Sequence, residues 1–282
     1  MTLPPLPRHI VEDAVRRALA EDLGGAGDIT SLATLPGDAE GQFELRARRD
    51  GVLCGLEPAL EAFRQCGPGL TLEAHLRDGA RLEKGATVLS VSGRVQPILT
   101  AERTALNFLG RMSGIATMTA QYVKAVEGSG ARIVHTRKTT PGLRAFEIQA
   151  VRAGGGGAHR FNLADAILIK DNHVAAAGGV GKAVRAARAH AGHMVRISTE
   201  IDRLDQLDEA IEAGADVVLL DNFSLEDMRA AVSRAKGKLI LEASGGVDLT
   251  TVRTIAETGV DIISVGALTH SAPNFDLGLD AA

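Results

Sequence analysis

The chain has 282 residues, 45% of them apolar and 23% charged, with a formal net charge of −4 and a mean hydropathy of +0.07. That balance suits a globular protein of one or two domains with a substantial core. It argues against a membrane span, because no apolar run approaches the roughly 20 residues needed, and against a single-stranded nucleic-acid binder, because Trp is absent and there is one Tyr for stacking.

The N-terminal MTLPPLPRHIVEDAV has no apolar signal-peptide core, so a cytoplasmic protein is expected. Beyond the proline-rich leader, Ile10, Val11, Ala14, Val15, Ala18, Leu19 and Leu23 recur at helical spacing and predict a helix over 10–23. Asp28-Ile29-Thr30-Ser31 then reads as a cap or turn. From Gln42 to Gln96 the pattern changes to short strand-like pieces at 43–47, 51–53, 70–75 and 87–91, with one helix near 58–65. The stretch DGARLEKG (78–85) resembles the turn–strand grammar of lipoyl- or biotinyl-carrier domains. It presents no lysine at a hairpin tip, which predicts a structural, hammerhead-like α+β sheet instead. Cys54 and Cys66 lack metal-ligand spacing and are expected as two buried free thiols.

From about residue 101 the chain becomes regular. A helix-compatible run covers 102–126. Apolar strands at 133–135, 166–170, 194–198, 216–220, 239–241 and 261–265 then alternate with helical stretches at 143–153, 179–190, 204–213, 225–234 and 249–257. Such repetition implies a parallel sheet, and the nearly all-apolar strands fit one covered on both faces. Titratable, polar or glycine residues follow each strand: Thr136-Arg137-Lys138, Lys170-Asp171-Asn172-His173, Glu200, Asp221-Asn222, Glu242-Ala243-Ser244-Gly245-Gly246 and Gly266. Function at the carboxyl ends of parallel strands is the habit of α/β barrels, and six strands predict an incomplete one. No GxGxxG follows a first strand, so a dinucleotide fold is the weaker choice.

Between Glu102 and His173 ten Lys/Arg face five acids, a local balance of +5 in an acidic chain. Cations gathered at apolar-run ends and glycine-rich turns point to a small, multiply anionic ligand and not to a nucleic-acid track. Solvated helix faces are the plain alternative for any single one. Ser244-Gly245-Gly246, with Gly266 after the next strand, reads as a phosphate cradle of backbone N–H groups, and His270 could add a donor. Glu200 and Asp221 could share Mg²⁺ with substrate oxygens or serve as structural partners for the lysines opposite. His159 suits donation to an anion better than work as a base. Lys170 has a rival reading as a Schiff-base nucleophile, but its neighbours Arg137, Lys138, His159 and Arg160 favour holding carboxylates or phosphates.

The segments GDIT (27–30), ERTALNFLGRMSGIAT (102–117), TRKTTPGLR (136–144), GGGGAHR (154–160), LIKDNH (168–173), LLDN (219–222), ASGG (243–246) and ISVGALTHS (263–271) occur in one order along essentially the whole chain. In them the sequence resembles the quinolinate phosphoribosyltransferase family. The resemblance implies an α/β fold: an N-terminal α+β (hammerhead-like) domain over 1–105, an incomplete α/β barrel over 106–271, and a tail at 272–282 packed back on the first domain. It implies a homodimer or higher oligomer with the site at the subunit interface. The implied activity moves a phosphoribosyl group from phosphoribosyl pyrophosphate to quinolinate, with loss of pyrophosphate and CO₂, using Mg²⁺. Arg137, His159, Arg160 and Lys170 would hold the two carboxylates, Arg103 would reach in from the neighbouring subunit, and Lys138 would face the pyrophosphate. Glu200 and Asp221 would face the ribose hydroxyls and metal. Ser244, Gly245, Gly246, Gly266 and His270 would take the 5′-phosphate.

The chain departs from the family's usual pattern at four places. It has Ala158-His159-Arg160 for Asn-His-Arg, Glu147-Ile148-Gln149 for Glu-Lys-Tyr, Ser198-Thr199-Glu200 for Glu-x-Glu, and His135 where Asp or Cys is more familiar. A paralogue acting on another carboxylate acceptor is therefore the alternative.

Overall fold

The protein is described from a computed structural model covering residues 3–282. In chain order it forms α1 (Arg8–Leu23), α2 (Ile29–Thr34), β1 (Glu40–Ala47), β2 (Gly51–Val52), α3 (Leu56–Cys66), β3 (Thr71–Ala74), β4 (Arg81–Leu82), β5 (Thr87–Arg94) and α4 (Val95–Ala125). Next come β6 (Arg132–Val134), α5 (Arg144–Ala153), β7 (Ile167–Ile169), α6 (Asp171–Ala177), α7 (Val180–His190), β8 (Ile197–Ile201), α8 (Asp205–Glu212) and β9 (Val217–Asp221). The chain closes with α9 (Leu225–Ala235), β10 (Ile240–Ser244), α10 (Val252–Ala256), β11 (Ile262–Ser264), α11 (Ala267–His270) and β12 (Leu277–Ala281). It forms two compact units. One comprises the chain up to Ala120 with Thr140–Gly155 and Ser271–Ala282; the other comprises Gln121–Thr139 and Gly156–His270.

The first unit is built on an antiparallel sheet in the order β12-β1-β5-β3. Helix α1 buries Val11, Ala14, Val15 and Leu19, the expected apolar stripe, and packs on α3. The DGARLEKG stretch has two structural tasks. Its Asp78 carboxylate accepts from the backbone N–H groups of Gly55 (3.2 Å) and Leu56 (3.1 Å), capping the start of α3 from a distant loop. Its β4 pairs with β2 and not with β5, so no hairpin forms there. Both cysteines are free; Cys54 is buried, whereas Cys66 is only half-buried, which corrects the expectation of two buried thiols. Helix α4 starts at Val95, seven residues before the predicted run, because Pro97 lies in its first turn, where a missing N–H costs nothing. Gly114 lets the C-terminal chain lie against this helix: a Cβ there would stand 2.1 Å from the Pro273 carbonyl oxygen. Among the described residues no helix is long and apolar enough to cross a membrane.

The second unit carries a six-stranded parallel sheet in the order β6-β11-β10-β9-β8-β7. Each strand neighbours the next in sequence except at the junction of β6 and β7, which do not pair. That is an α/β barrel left open at one seam, as six strands predict. A parallel bridge from Val134 to Gly157 adds one rung on the free side of β6. Two strands run later than expected. Met194 is 82% exposed and β8 begins at Ile197, which puts Glu200 inside the strand. Likewise β10 runs to Ser244 and includes Glu242. Helix α6, with no buried residue, had no apolar periodicity to announce it.

Aspartates bind the amino ends of these strands together. Asp216 accepts from the Ile197 N–H (2.7 Å) and the Arg188 guanidinium (2.8 Å). Asp261 accepts from the Leu241 N–H in the same way (2.8 Å). The Asp216 carboxylate satisfies the first amide of β8 and the Asp261 carboxylate the second amide of β10, whose first, Ile240, donates to the Asp216 carbonyl (3.1 Å).

Candidate active site

The parallel register itself collects the site. Glu200 is level with Leu219, and Leu219 with Glu242; Asp221 is level with Ser244. Residues level with one another, and alternate residues along one strand, share a face. Ser198, Glu200, Asp221, Glu242 and Ser244 therefore all project from one side of the sheet.

Just beyond β6, His135 is buried and its Nε2 accepts from the His159 N–H at 3.0 Å, tying the GGGGAHR segment to the strand end. The Arg160 N–H in turn donates to His159 Nδ1 (2.8 Å), and Arg160 Nη1 donates to the Ala166 carbonyl (3.0 Å). Burial depresses the Arg160 guanidinium below its ordinary value, and the charge of Arg137 adds to this. Two guanidinium groups are thus held near one another in a partly dry place, an arrangement that an anion would relieve. At the end of β7, Lys170 Nζ bridges Glu200 Oε2 at 2.9 Å and is half-exposed. A lysine paired with a carboxylate and open to water is not the desolvated amine a Schiff-base mechanism requires.

The proposed cradle is assembled from two strand ends. A Cβ on Gly266 would meet His270 Nε2 at 3.1 Å and Lys138 Cδ at 3.2 Å, so these three converge; Thr269 Oγ1 donates to the Lys138 carbonyl at 2.7 Å. Gly245 adopts φ +91°, and a Cβ there would lie 2.2 Å from Asn222 Oδ1. Only glycine fits. Asn222 is itself left-handed at φ +54°, with its N–H on the Ser244 carbonyl (3.0 Å) and its Nδ2 on Asp221 Oδ2 (2.9 Å). It links a carboxylate to the glycine loop. An asparagine after a strand-terminal aspartate was the one signal for it in the sequence.

Twelve of the thirteen residues singled out from the sequence, Arg137, Lys138, His159, Arg160, Lys170, Glu200, Asp221, Ser244, Gly245, Gly246, Gly266 and His270, fall in this unit. Arg103 does not; it is exposed on α4 in the other unit. The local surplus of charge is less unified than the count suggested. Arg111 pairs with buried Glu147 in the first unit (2.6 Å), and Arg132 stands at the opposite, amino end of β6.

Buried side-chain polar atoms without a hydrogen-bond partner are costly and few in native proteins. Those among the described residues are Arg137 Nε, Arg160 Nε, Ser198 Oγ, Thr199 Oγ1 and Glu242 Oε1. All belong to this unit, and all but Thr199, which alternation places on the other side of β8, belong to the strand-end cluster or its face.

Comparison with known proteins agrees with this geometry. The model of the quinolinate phosphoribosyl transferase N-terminal domain matches residues 28–113, and that of the C-terminal domain matches residues 115–280. The nicotinate-nucleotide pyrophosphorylase [carboxylating] of Mycobacterium leprae is 45% identical over 95% of this chain and 96% of its own length. A mitochondrial quinolinate phosphoribosyltransferase [decarboxylating] of Nicotiana glauca is 37% identical over 98% of this chain and 83% of its own. The solved nicotinate-nucleotide pyrophosphorylase of Francisella tularensis superposes with a TM-score of 0.94 at 41% identity, covering 100% of this chain and 99% of that one. The strand-end cations, the glycine cradle and these matches together place the chain in the quinolinate phosphoribosyltransferase family.

Proposed function

We propose that this protein transfers the phosphoribosyl group of phosphoribosyl pyrophosphate to quinolinate and releases pyrophosphate and CO₂, giving nicotinate mononucleotide for de novo NAD synthesis. The observation that carries the reading is the pair of guanidinium groups, Arg137 and Arg160, held close in a partly dry place with their Nε donors unpartnered, which a multiply anionic ligand would complete.

The chemistry matches the inventory. The pyridine nitrogen attacks the anomeric carbon as the bond to pyrophosphate breaks, its electron pair leaving with pyrophosphate. The ribosyl centre is then transiently cationic, and fixed charges must hold both reactants in line. Once the ring nitrogen is quaternary, the adjacent carboxylate leaves as CO₂. The electron pair stays on the ring carbon and takes a proton from solvent. In this reading Arg137, Arg160 and Lys170 grip the carboxylates, His159 stands beside them as the support of the Arg160 backbone, and Lys138 faces the pyrophosphate. Ser244, Gly245, Gly246, Gly266 and His270 receive the 5′-phosphate on backbone and imidazole donors.

Glu200 and Asp221 face the ribose hydroxyls. Among the described residues no group of three or more His, Cys, Asp or Glu could hold a metal unaided. Two carboxylates on one face nevertheless fit Mg²⁺, which keeps waters and takes its remaining ligands from substrate oxygens. Bound there, Mg²⁺ would neutralise charge on the departing pyrophosphate, and Lys170 would have to release Glu200 in part. We also assign the catalytic barrel to residues 106–271, the α+β domain to 1–105 with the tail at 272–282, and the cytoplasm as its compartment. Arg103 enters a neighbouring subunit's site in a homodimer or hexamer.

The test is direct. The purified protein with quinolinate, phosphoribosyl pyrophosphate and Mg²⁺ is expected to release CO₂ and nicotinate mononucleotide in equal amounts, and no release would overturn the proposal. Because Ala158, Ile148, Gln149, Ser198 and His135 depart from the family pattern, a second reading has a paralogue using another carboxylate acceptor. Turnover with a different acceptor in a panel of pyridine carboxylates, and none with quinolinate, would select it. For the shared site, mixed Arg103→Ala and Arg137→Ala subunits should regain part of the activity. Proven subunit exchange without any gain would refute it.

A further inference from the structure

Glu242 is the most buried carboxylate on the functional face, 3% exposed in the middle of β10. It has no role in the reading above. Its Oε1 stands 3.4 Å from His159 Nε2 but out of hydrogen-bond alignment, leaving that oxygen without a partner. The other nitrogen of the His159 ring is already committed. Nδ1 accepts from the Arg160 N–H at 2.8 Å, so the proton of the neutral ring sits on Nε2, the edge that faces Glu242. The backbone of the same histidine is fixed by His135, whose Nε2 accepts from the His159 N–H at 3.0 Å. His135 is held in the complementary tautomer, its Nδ1 directed to the Thr136 carbonyl at 3.1 Å. The backbone N–H and the Nδ1 of His159 are therefore held by fixed neighbours, and the short gap from Nε2 to Glu242 remains.

A carboxylate oxygen buried without a donor is expensive, and the His159 Nε2–H stands within reach of it. Contacts of this kind are often long in the empty site and tighten when ligand binds. We propose that Glu242 is a positioning residue for the acceptor: its carboxylate takes the Nε2–H of His159 and so locks the ring and the adjoining Arg160 backbone in one geometry. The inference rests on the quinolinate reading for what that geometry serves. It does not rest on it for the contact itself.

The test separates the two. Glu242→Leu, which fills the space without an acceptor, is expected to raise KM for quinolinate about tenfold or more. KM for phosphoribosyl pyrophosphate should stay within about threefold. Glu242→Gln still offers an acceptor oxygen and should recover most of that loss. If Glu242→Leu leaves the quinolinate KM unchanged, or moves both KM values together, the proposal is overturned. Histidine-selective ¹⁵N labelling adds a readout that needs neither turnover nor a stable leucine variant. The His159 Nε2–H resonance, assigned by its loss in His159→Gln, should shift between the unaltered protein and Glu242→Gln. An identical resonance would overturn the contact. Should the unaltered protein make no product, the functional reading fails and this spectrum alone decides the inference.

Discussion

The two ends of the parallel sheet are built to opposite rules. At the amino ends of β8 and β10, Asp216 and Asp261 give the amides of Ile197 and Leu241 a carboxylate partner. At the carboxyl ends, two guanidinium groups share a desolvated place with their Nε donors unpartnered, and Asn222 and Gly245 both hold left-handed backbone. One end is finished by the protein itself. The other is left for a ligand to finish. The division of labour expected of α/β barrels, stability below and chemistry above, is visible here as a difference in hydrogen-bond completeness.

Breaking the upper end should cost activity and little stability. Arg160→Ala is expected to lower kcat/KM for quinolinate by about a thousandfold, since the proposed carboxylate clamp would be lost. Its thermal midpoint should hold or rise, because the charge next to Arg137 is gone; a fall in midpoint matching the activity loss would contradict the contrast. Gly245→Ala should come next. The new Cβ would collide with Asn222 at a φ that alanine disfavours, and a rise of about a hundredfold in KM for phosphoribosyl pyrophosphate is expected from steady-state rates.

Breaking the lower end should do the reverse. Asp216→Ala or Asp261→Ala should lose about 1–3 kcal/mol in urea unfolding, with kcat/KM per folded molecule within about twofold. Asp216 also carries a pH signature. Burial pushes its carboxyl up, but the Ile197 amide and Arg188 outweigh this and leave it below its ordinary 3.8. Its contribution is thus complete above that value and is lost as pH falls through the lower folded value. The stability gap between the unaltered protein and Asp216→Ala should close in strong acid. The smallest effect belongs to the exposed pair of Arg234 and Asp208 (3.3 Å), whose removal should change stability by about 0.5 kcal/mol or less.

Much of this was legible in the chain. Alternating apolar runs located all six parallel strands, and the residues after them include cations and glycines of the candidate site. Boundaries were less legible. Val195 is only half-buried and Met194 is exposed, yet both read as strand; polar Thr199 and Glu200, which read as loop, lie in β8. The same habit hid Glu242. A charged residue between Leu241 and Ala243 looks like a strand's end, and only the register with Leu219 shows that it is interior. The Asp216 and Asp261 staples were invisible because their partners are backbone amides about twenty residues away. Arg111 was misleading in the opposite sense: it counted toward a positive cluster, while its charge is spent on Glu147.

The sharpest measurement is quinolinate-dependent CO₂ release by Arg137→Ala and by Asp216→Ala, each at matched folded concentration. The account predicts a loss of at least about a hundredfold for the first and an unchanged rate for the second. Equal rates for the two, whether both high or both low, would contradict it.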